Sequence, residues 1–246
     1  MIHLFALLSL LLCGVCYTGF QNSSHFRNTG SRRSLLLLVF GGALLLRLLL
    51  AYTTHGFSND IACFAAWADR IFTLGPGQFY SAEMFTDYPP GFMYVLYLIG
   101  ALRSLLQIPY YSDLHILLLK LPAILCDIAC GFLLYREAVK RLHFSDLQGI
   151  FAASAYLFQP AVILNSSCWG QVDSVYTLMI ILMCLFLMKG NLLPAYAVYG
   201  LGVLLKPQML IFTPVLLAGI WDHVFLQDFS WRKFFYNLCG GLVVIC

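Results

Sequence analysis

Apolar runs recur along almost the whole chain, and they constrain its fold more than any motif does. They fall at about 2–19, 34–52, 91–107, 114–135, 149–165, 174–188, 192–205, 208–226 and 235–246. A helix of about 20 apolar residues matches the ~30 Å hydrocarbon core of a bilayer. A helix also satisfies its own backbone hydrogen bonds, which lipid cannot do for it. Charged residues make up only 10% of the chain and mean hydropathy is +0.84, whereas soluble domains carry roughly 25% charge. The expected fold class is all-α, a polytopic transmembrane helical bundle. A nucleic-acid role has no support, because no basic patch or binding motif occurs. The net charge of +3 identifies no partner, since the sign of each loop matters more than the sum.

Loop charges then orient the bundle. Basic clusters stand at Arg27/Arg32/Arg33, Arg136/Lys140/Arg141, Lys189 and Arg232/Lys233. If 91–107 does not cross, all four clusters are cytoplasmic, as the positive-inside rule requires. If it crosses, Arg136, Lys140 and Arg141 move outside. Residues 53–112 are therefore expected to form a large first non-cytoplasmic loop bearing interfacial helices, with 91–107 lying along or dipping into the membrane surface. The predicted order is 34–52 outward, 114–135 inward, 149–165 outward, 174–188 inward, 192–205 outward, 208–226 inward and 235–246 starting outward. Residues 1–33 read as an N-terminal hydrophobic segment with a cytoplasmic basic linker, and 34–246 as the transmembrane domain. The run 2–19 resembles a signal sequence but has only His3 in its n-region. It is read as an uncleaved helix with its N-terminus outside or as a mis-assigned start. The last run is short for a span and reads as a truncated end.

The nine cysteines lie mostly in apolar runs, where cysteine behaves as a small hydrophobe. Cys13/Cys16 and Cys126/Cys130 have metal-like spacing but lack a second His or Cys cluster, which argues against zinc. His55, His115 and His143 are dispersed. Cys63 and Cys168 are both expected outside, and a disulfide between them is left open.

Polar residues gather at the outer ends of the runs. Ser58-Asn59-Asp60 opens a helix expected over 60–72, where Asp60 is either an N-cap or a general base facing a cavity. Asp87-Tyr88-Pro89-Pro90-Gly91 is a rigid turn, since proline fixes φ and bars helix upstream. It is either a corner or a holder of Asp87 and Tyr88 against a polar head group. In Trp169-Gly170-Gln171-Val172-Asp173, Trp169 suits an interfacial belt and Asp173 a helix N-terminus, while Gln171 has no such explanation. Lys206, before Pro207, either snorkels to the interface or meets a phosphate as a point charge. Lys120 and Asp127 share one face of 114–135, and neither is expected to face lipid, where a charge costs roughly 2.5–3.5 kcal/mol. Arg47 is likewise expected to turn inward.

These residues carry a resemblance. Phe57-Ser58-Asn59-Asp60-Ile61 with Trp67-Ala68, Gly75-Pro76-Gly77-Gln78-Phe79-Tyr80, Asp87-Tyr88-Pro89-Pro90-Gly91, Trp169-Gly170-Gln171-Val172-Asp173-Ser174 and Leu205-Lys206-Pro207-Gln208 resemble the GT-C class of membrane glycosyltransferases. The nearest group is the bacterial mannosyltransferase-like family related to the second GPI mannosyltransferase. The Tyr-Pro-Pro turn is also similar to the dolichyl-phosphate-glucose-dependent glucosyltransferases of N-glycan assembly. The resemblance spans about residues 40–215.

It implies a multi-pass enzyme, in the bacterial plasma membrane by the family match or in the endoplasmic reticulum. Such an enzyme moves a hexose, mannose first, from a polyprenyl-phosphate-linked donor to a lipid or glycan acceptor on the non-cytoplasmic face, with inversion. Asp60 matches the catalytic base of the class. Lys206 and Arg47 become candidates for the donor phosphate, and Asp87, Tyr88, Trp169, Gln171 and Asp173 for the sugar or acceptor pocket. No cofactor is specified, and a divalent metal is left open. Family members continue through several more helices, and run 2–19 has no counterpart in them. Two other readings stand beside this one. One is a transporter or flippase for a lipid-linked saccharide, with Arg47, Lys120 and Asp127 along its path. The other is an inactive, truncated remnant of such an enzyme.

Overall fold

The computed structural model describes residues 29–82, 85–226 and 230–245. Run 2–19, Cys13, Cys16, Arg27 and Glu83 lie outside them. Every regular element among the described residues is helical. In chain order these are α1 (Thr29–Thr53), α2 (Ser58–Leu74), a 3₁₀ turn (Pro76–Gln78), α3 (Pro90–Leu105), α4 (Asp113–Lys140), α5 (Asp146–Leu157) and α6 (Pro160–Ile163). A π-helical turn (Leu164–Trp169), α7 (Asp173–Met188), α8 (Leu192–Leu205), a 3₁₀ segment (Pro207–Phe212), α9 (Thr213–Trp221), a second π turn (Asp222–Leu226) and α10 (Trp231–Ile245) follow. Among the described residues, three helical segments are long and apolar enough to cross a membrane: Arg32–Thr53, Asp113–Lys140 and Pro207–Leu226. A fourth is added if Asp146–Leu157 and Pro160–Trp169, bent by 52°, count as one span.

The chain divides into two compact units. The first holds α1, the opening turns of α2 to Ala65, and Leu106–Ser174. In it α4 runs antiparallel to both α1 and α5. At one end Arg32 pairs with Asp146 at 2.9 Å, and the Tyr135 hydroxyl donates to the same carboxylate. At the other end the Thr54 hydroxyl reaches the Ser167 carbonyl at 3.3 Å. Ala43, Ala153 and Leu157 are buried between these helices, with Val39, Phe40 and Ile128 packed on them. Gly131 lets α4 and α5 approach closely, since a Cβ there would stand 2.7 Å from the Leu157 side chain. The expected span 149–165 is broken rather than straight. Pro160 lacks an N–H and disfavours helical geometry at the residue before it. Gln159 restarts the helix by accepting from the Val162 N–H at 3.0 Å.

The second unit holds Ala66–Leu105 and Val175–Cys246. Its core is Met183, Leu187, Leu192, Ala195, Tyr196, Tyr199, Met209, Leu216 and Val224. His223 Nε2 lies 2.6 Å from the Leu187 carbonyl, joining the end of α7 to the turn after α9. α3 forms where 91–107 was expected to lie on the membrane surface. It buries Phe92, Met93, Leu96 and Ile99 and leaves Tyr94, Leu98, Leu102 and Leu105 exposed. Gly100 seats it on the second half of α2, where an added Cβ would come 2.5 Å from the Ala68 carbonyl oxygen. Arg103 pairs with Asp69 at the same contact.

Candidate functional site

Asp60 lies in the first turn of α2, which starts two residues earlier than expected, at Ser58. It is therefore not the N-cap but a helical residue whose charge still meets the exposed N–H groups of the helix start. The preceding chain is fixed first. Gly56 takes φ +79°, and a Cβ there would come 2.7 Å from the Trp169 carbonyl oxygen. The Phe57 N–H donates to that oxygen at 2.9 Å, and the Phe57 and Trp169 rings lie 5.4 Å apart.

The opposing segment is shaped by the π turn. The wider turn at Leu164–Trp169 ends on Gly170 in the left-handed conformation, φ +87°. The N–H groups of Gly170 and Gln171 both donate to the Asn165 carbonyl, at 3.1 and 2.9 Å. This turns Gln171 toward α2, and its amide Nε2 donates to Asp60 Oδ2. The Trp169 indole N–H donates to the same oxygen at 3.3 Å. Asp60 Oδ1 accepts no hydrogen bond among the described residues. Asp60 and Gln171 are part-exposed and Trp169 is half-exposed. The result is a solvent-reachable carboxylate with one oxygen held and the other open.

Three of the sequence candidates thus converge: Asp60, Trp169 and Gln171. Asp173 does not join them. It opens α7, and its Oδ2 accepts from Asn165 Nδ2 at 2.9 Å, which suits a carboxylate at a helix N-terminus.

Arg47 requires a correction. It turns inward as expected, but it is wholly buried and carries no open donor toward a phosphate. Its Nε donates to Asp127 Oδ2 at 3.0 Å, Nη2 to the Leu157 carbonyl at 2.7 Å and Nη1 to the Ala43 carbonyl at 3.3 Å. A charge placed this deep persists only when paired and hydrogen-bonded, and the pairing consumes the guanidinium. Lys120 is also fully buried. Its ammonium caps the end of α1, donating to the Thr54 carbonyl at 2.6 Å and the Ala51 carbonyl at 3.2 Å. A cation is favoured there by the orphan carbonyls of a helix C-terminus.

In the second unit, Tyr88 and Lys206 come together. Lys206 sits at the extended break between α8 and the 3₁₀ segment. Its ammonium lies 5.8 Å from the Tyr88 ring centre and 5.6 Å from that of Tyr176, within cation–π range. Tyr88 is held by Trp67, ring to ring at 5.8 Å, and by the Tyr80 hydroxyl, which donates to its carbonyl at 3.0 Å. Partial burial, and then Tyr94, push the Tyr80 phenol above its ordinary pKa, so it remains a donor. Arg70, three residues after Trp67 on α2, donates to the Phe79 carbonyl at 3.0 Å and to the Ser81 hydroxyl at 3.1 Å. Asp87 is exposed on this turn.

Cys63, Cys126, Cys130 and Cys168 are free thiols, so the disulfide left open between Cys63 and Cys168 is not formed. Among the described residues, no three His, Cys, Asp or Glu side chains converge as a metal site. Sequence reasoning missed Asn165 and Ser166 and gave Ser174 no role of its own; these three anchor the Trp169–Asp173 segment. Small polar residues within apolar runs are common and carry no signal of their own. No protein-family model matches the chain, and no curated protein matches it.

Proposed function

We propose that the protein is a multi-pass membrane glycosyltransferase that moves a hexose, mannose first, from a polyprenyl-phosphate donor to a lipid or glycan acceptor on the non-cytoplasmic face. The observation that supports this is the half-open Asp60 carboxylate. A general base must be held in place yet lie within hydrogen-bond reach of the proton it takes. Gln171 and Trp169 hold Oδ2, and Oδ1 remains for an acceptor hydroxyl. As that hydroxyl oxygen attacks the anomeric carbon, its proton passes to Asp60. The bond from the anomeric carbon to the phosphate oxygen breaks on the opposite face, and the electron pair leaves on the phosphate. The configuration inverts. A phosphate leaves without a strong general acid, and a cation near it lowers the barrier by stabilising the charge that develops. The resemblance offers Lys206, with Tyr88 beside it in the second unit, as the candidate for that role. The order and identity of the sequence segments that resemble the GT-C class support the same assignment. Arg47, Lys120 and Asp127, the charges of the flippase alternative, are all buried and engaged, so nothing in their arrangement favours a translocation path.

The test is transfer in membranes supplied with radiolabelled polyprenyl-phosphate mannose or glucose. Wild type should move label from one donor to a new product. Asp60→Asn should insert normally and transfer about 10²–10⁴-fold more slowly, the usual range for loss of a general base. Full activity in Asp60→Asn would remove Asp60 from that role.

A further inference from the structure

Asp127 accepts hydrogen bonds from four side chains, and the proposed chemistry does not touch it. It is fully buried in α4, 80 residues from its ion partner Arg47 in α1. Its Oδ2 also accepts from the Ser166 hydroxyl at 2.6 Å. Its Oδ1 accepts from the Ser174 hydroxyl and from the Tyr156 hydroxyl of α5 at 3.4 Å. One side chain therefore ties together four other parts of the chain.

Two of those parts have a common consequence. Ser166 lies in the π turn and Ser174 in the first turn of α7. They are the two feet of the loop whose apex carries Trp169 and Gln171. Both feet are pinned to one carboxylate, and Arg47 holds that carboxylate from the other side. Between the feet, the loop meets Asp60 through the Gln171 amide and the Trp169 indole. Elsewhere the loop is held by backbone bonds to Asn165 and Phe57, by the Asn165 amide on Asp173 and by the Thr54 hydroxyl on the Ser167 and Cys168 carbonyls.

From this geometry we infer that Asp127 is a positioning residue for Asp60. By clamping Ser166 and Ser174, it fixes the Gln171 amide and Trp169 indole that orient the base. The inference rests on the glycosyltransferase reading for its catalytic consequence, but the clamp itself can be measured without it. Hydrogen bonds to a charged acceptor are the stronger kind, and a network with every member satisfied holds a unique arrangement.

Replacing Asp127 itself would strand Arg47 in the interior and could unfold the protein. The informative variant is Ser166→Ala/Ser174→Ala, which leaves the ion pair intact. The full chain would be labelled with 5-fluorotryptophan in lipid nanodiscs, and the Trp169 fluorine resonance assigned by its loss in Trp169→Phe. The double variant should shift or broaden the Trp169 resonance alone, leaving those of Trp67, Trp221 and Trp231 in place. In the transfer assay kcat should fall about 10–100-fold, the scale of an ångström-level misplacement, with KM unchanged. Ser174→Thr, which keeps the hydroxyl, should preserve both signals. An unmoved Trp169 resonance, or a shift of all four, would overturn the clamp. If wild type transfers no sugar, the enzyme reading fails while the fluorine spectrum still decides whether Asp127 organises the loop.

Discussion

Asp60 owes its setting to a residue that the helix containing it cannot supply. Gln171 reaches it across 111 residues, and the left-handed turn at Gly170 makes the approach. Any Cβ at Gly170 would meet Ile61 Cδ1 at 2.6 Å, on the helix that carries Asp60. Glycine therefore serves both the backbone conformation and the closeness of the two segments. A hydrogen bond to a charged acceptor contributes roughly 1.5–3 kcal/mol. If the orientation it gives is used in the transition state, Gln171→Ala should lower kcat about 10–100-fold, in proportion. Because Gln171 is only part-buried, its thermal unfolding midpoint in detergent should stay close to wild type. A steep loss of stability with unchanged turnover per folded molecule would assign Gln171 to structure instead.

At the scale of elements, breaks in helices do the placing. Pro160 ends one helix and starts another, and the π turn that follows swings Trp169–Gln171 toward α2. Pro207 similarly begins a new segment just after Lys206, leaving that residue extended, φ −154°, between two helical segments. An uninterrupted helix would have buried these polar side chains along its length or turned them to lipid. Close packing places α3 in the same way. Gly100 meets the backbone of α2 at Ala68, and a backbone atom cannot rotate aside as a side chain can. Gly100→Ala should force α3 away and destabilise the protein by about 1–3 kcal/mol, as overpacking does. Thermal unfolding of the two proteins in the same detergent measures this; an unchanged midpoint would show that α3 is not held by that contact.

At the scale of the whole molecule, the loop charges predict sidedness. Phe85 and Leu142 are exposed and fall in loops assigned to opposite faces by the positive-inside rule. In a cysteine-free background, Phe85→Cys should react with a membrane-impermeant maleimide from the non-cytoplasmic side. Leu142→Cys should react only after the cytoplasmic side is opened. Labelling of both from one side would overturn the assignment of the loop before α3 and the loop after α4 to opposite faces.

The sequence by itself determined the helical class and most of the helix positions. Solvent and lipid act on each segment separately: an apolar run must coil to satisfy its own backbone, whatever lies beside it. For the same reason Asp60, Trp169, Gln171 and Lys206 could be picked out as polar residues at the ends of runs. The break at Pro160 was present as a local signal, yet its 52° consequence depends on the helices against which the two halves pack. Partnership was not local at all. Periodicity and burial cost together imply that Arg47 turns inward, but not that Asp127 waits for it, nor that Ser166 and Ser174 complete the shell. A buried charge is stabilised by whichever groups the packing brings within hydrogen-bond distance, and only the tertiary structure decides which those are. That is why Arg47, which the resemblance offered as a ligand for phosphate, is in the fold the partner of Asp127.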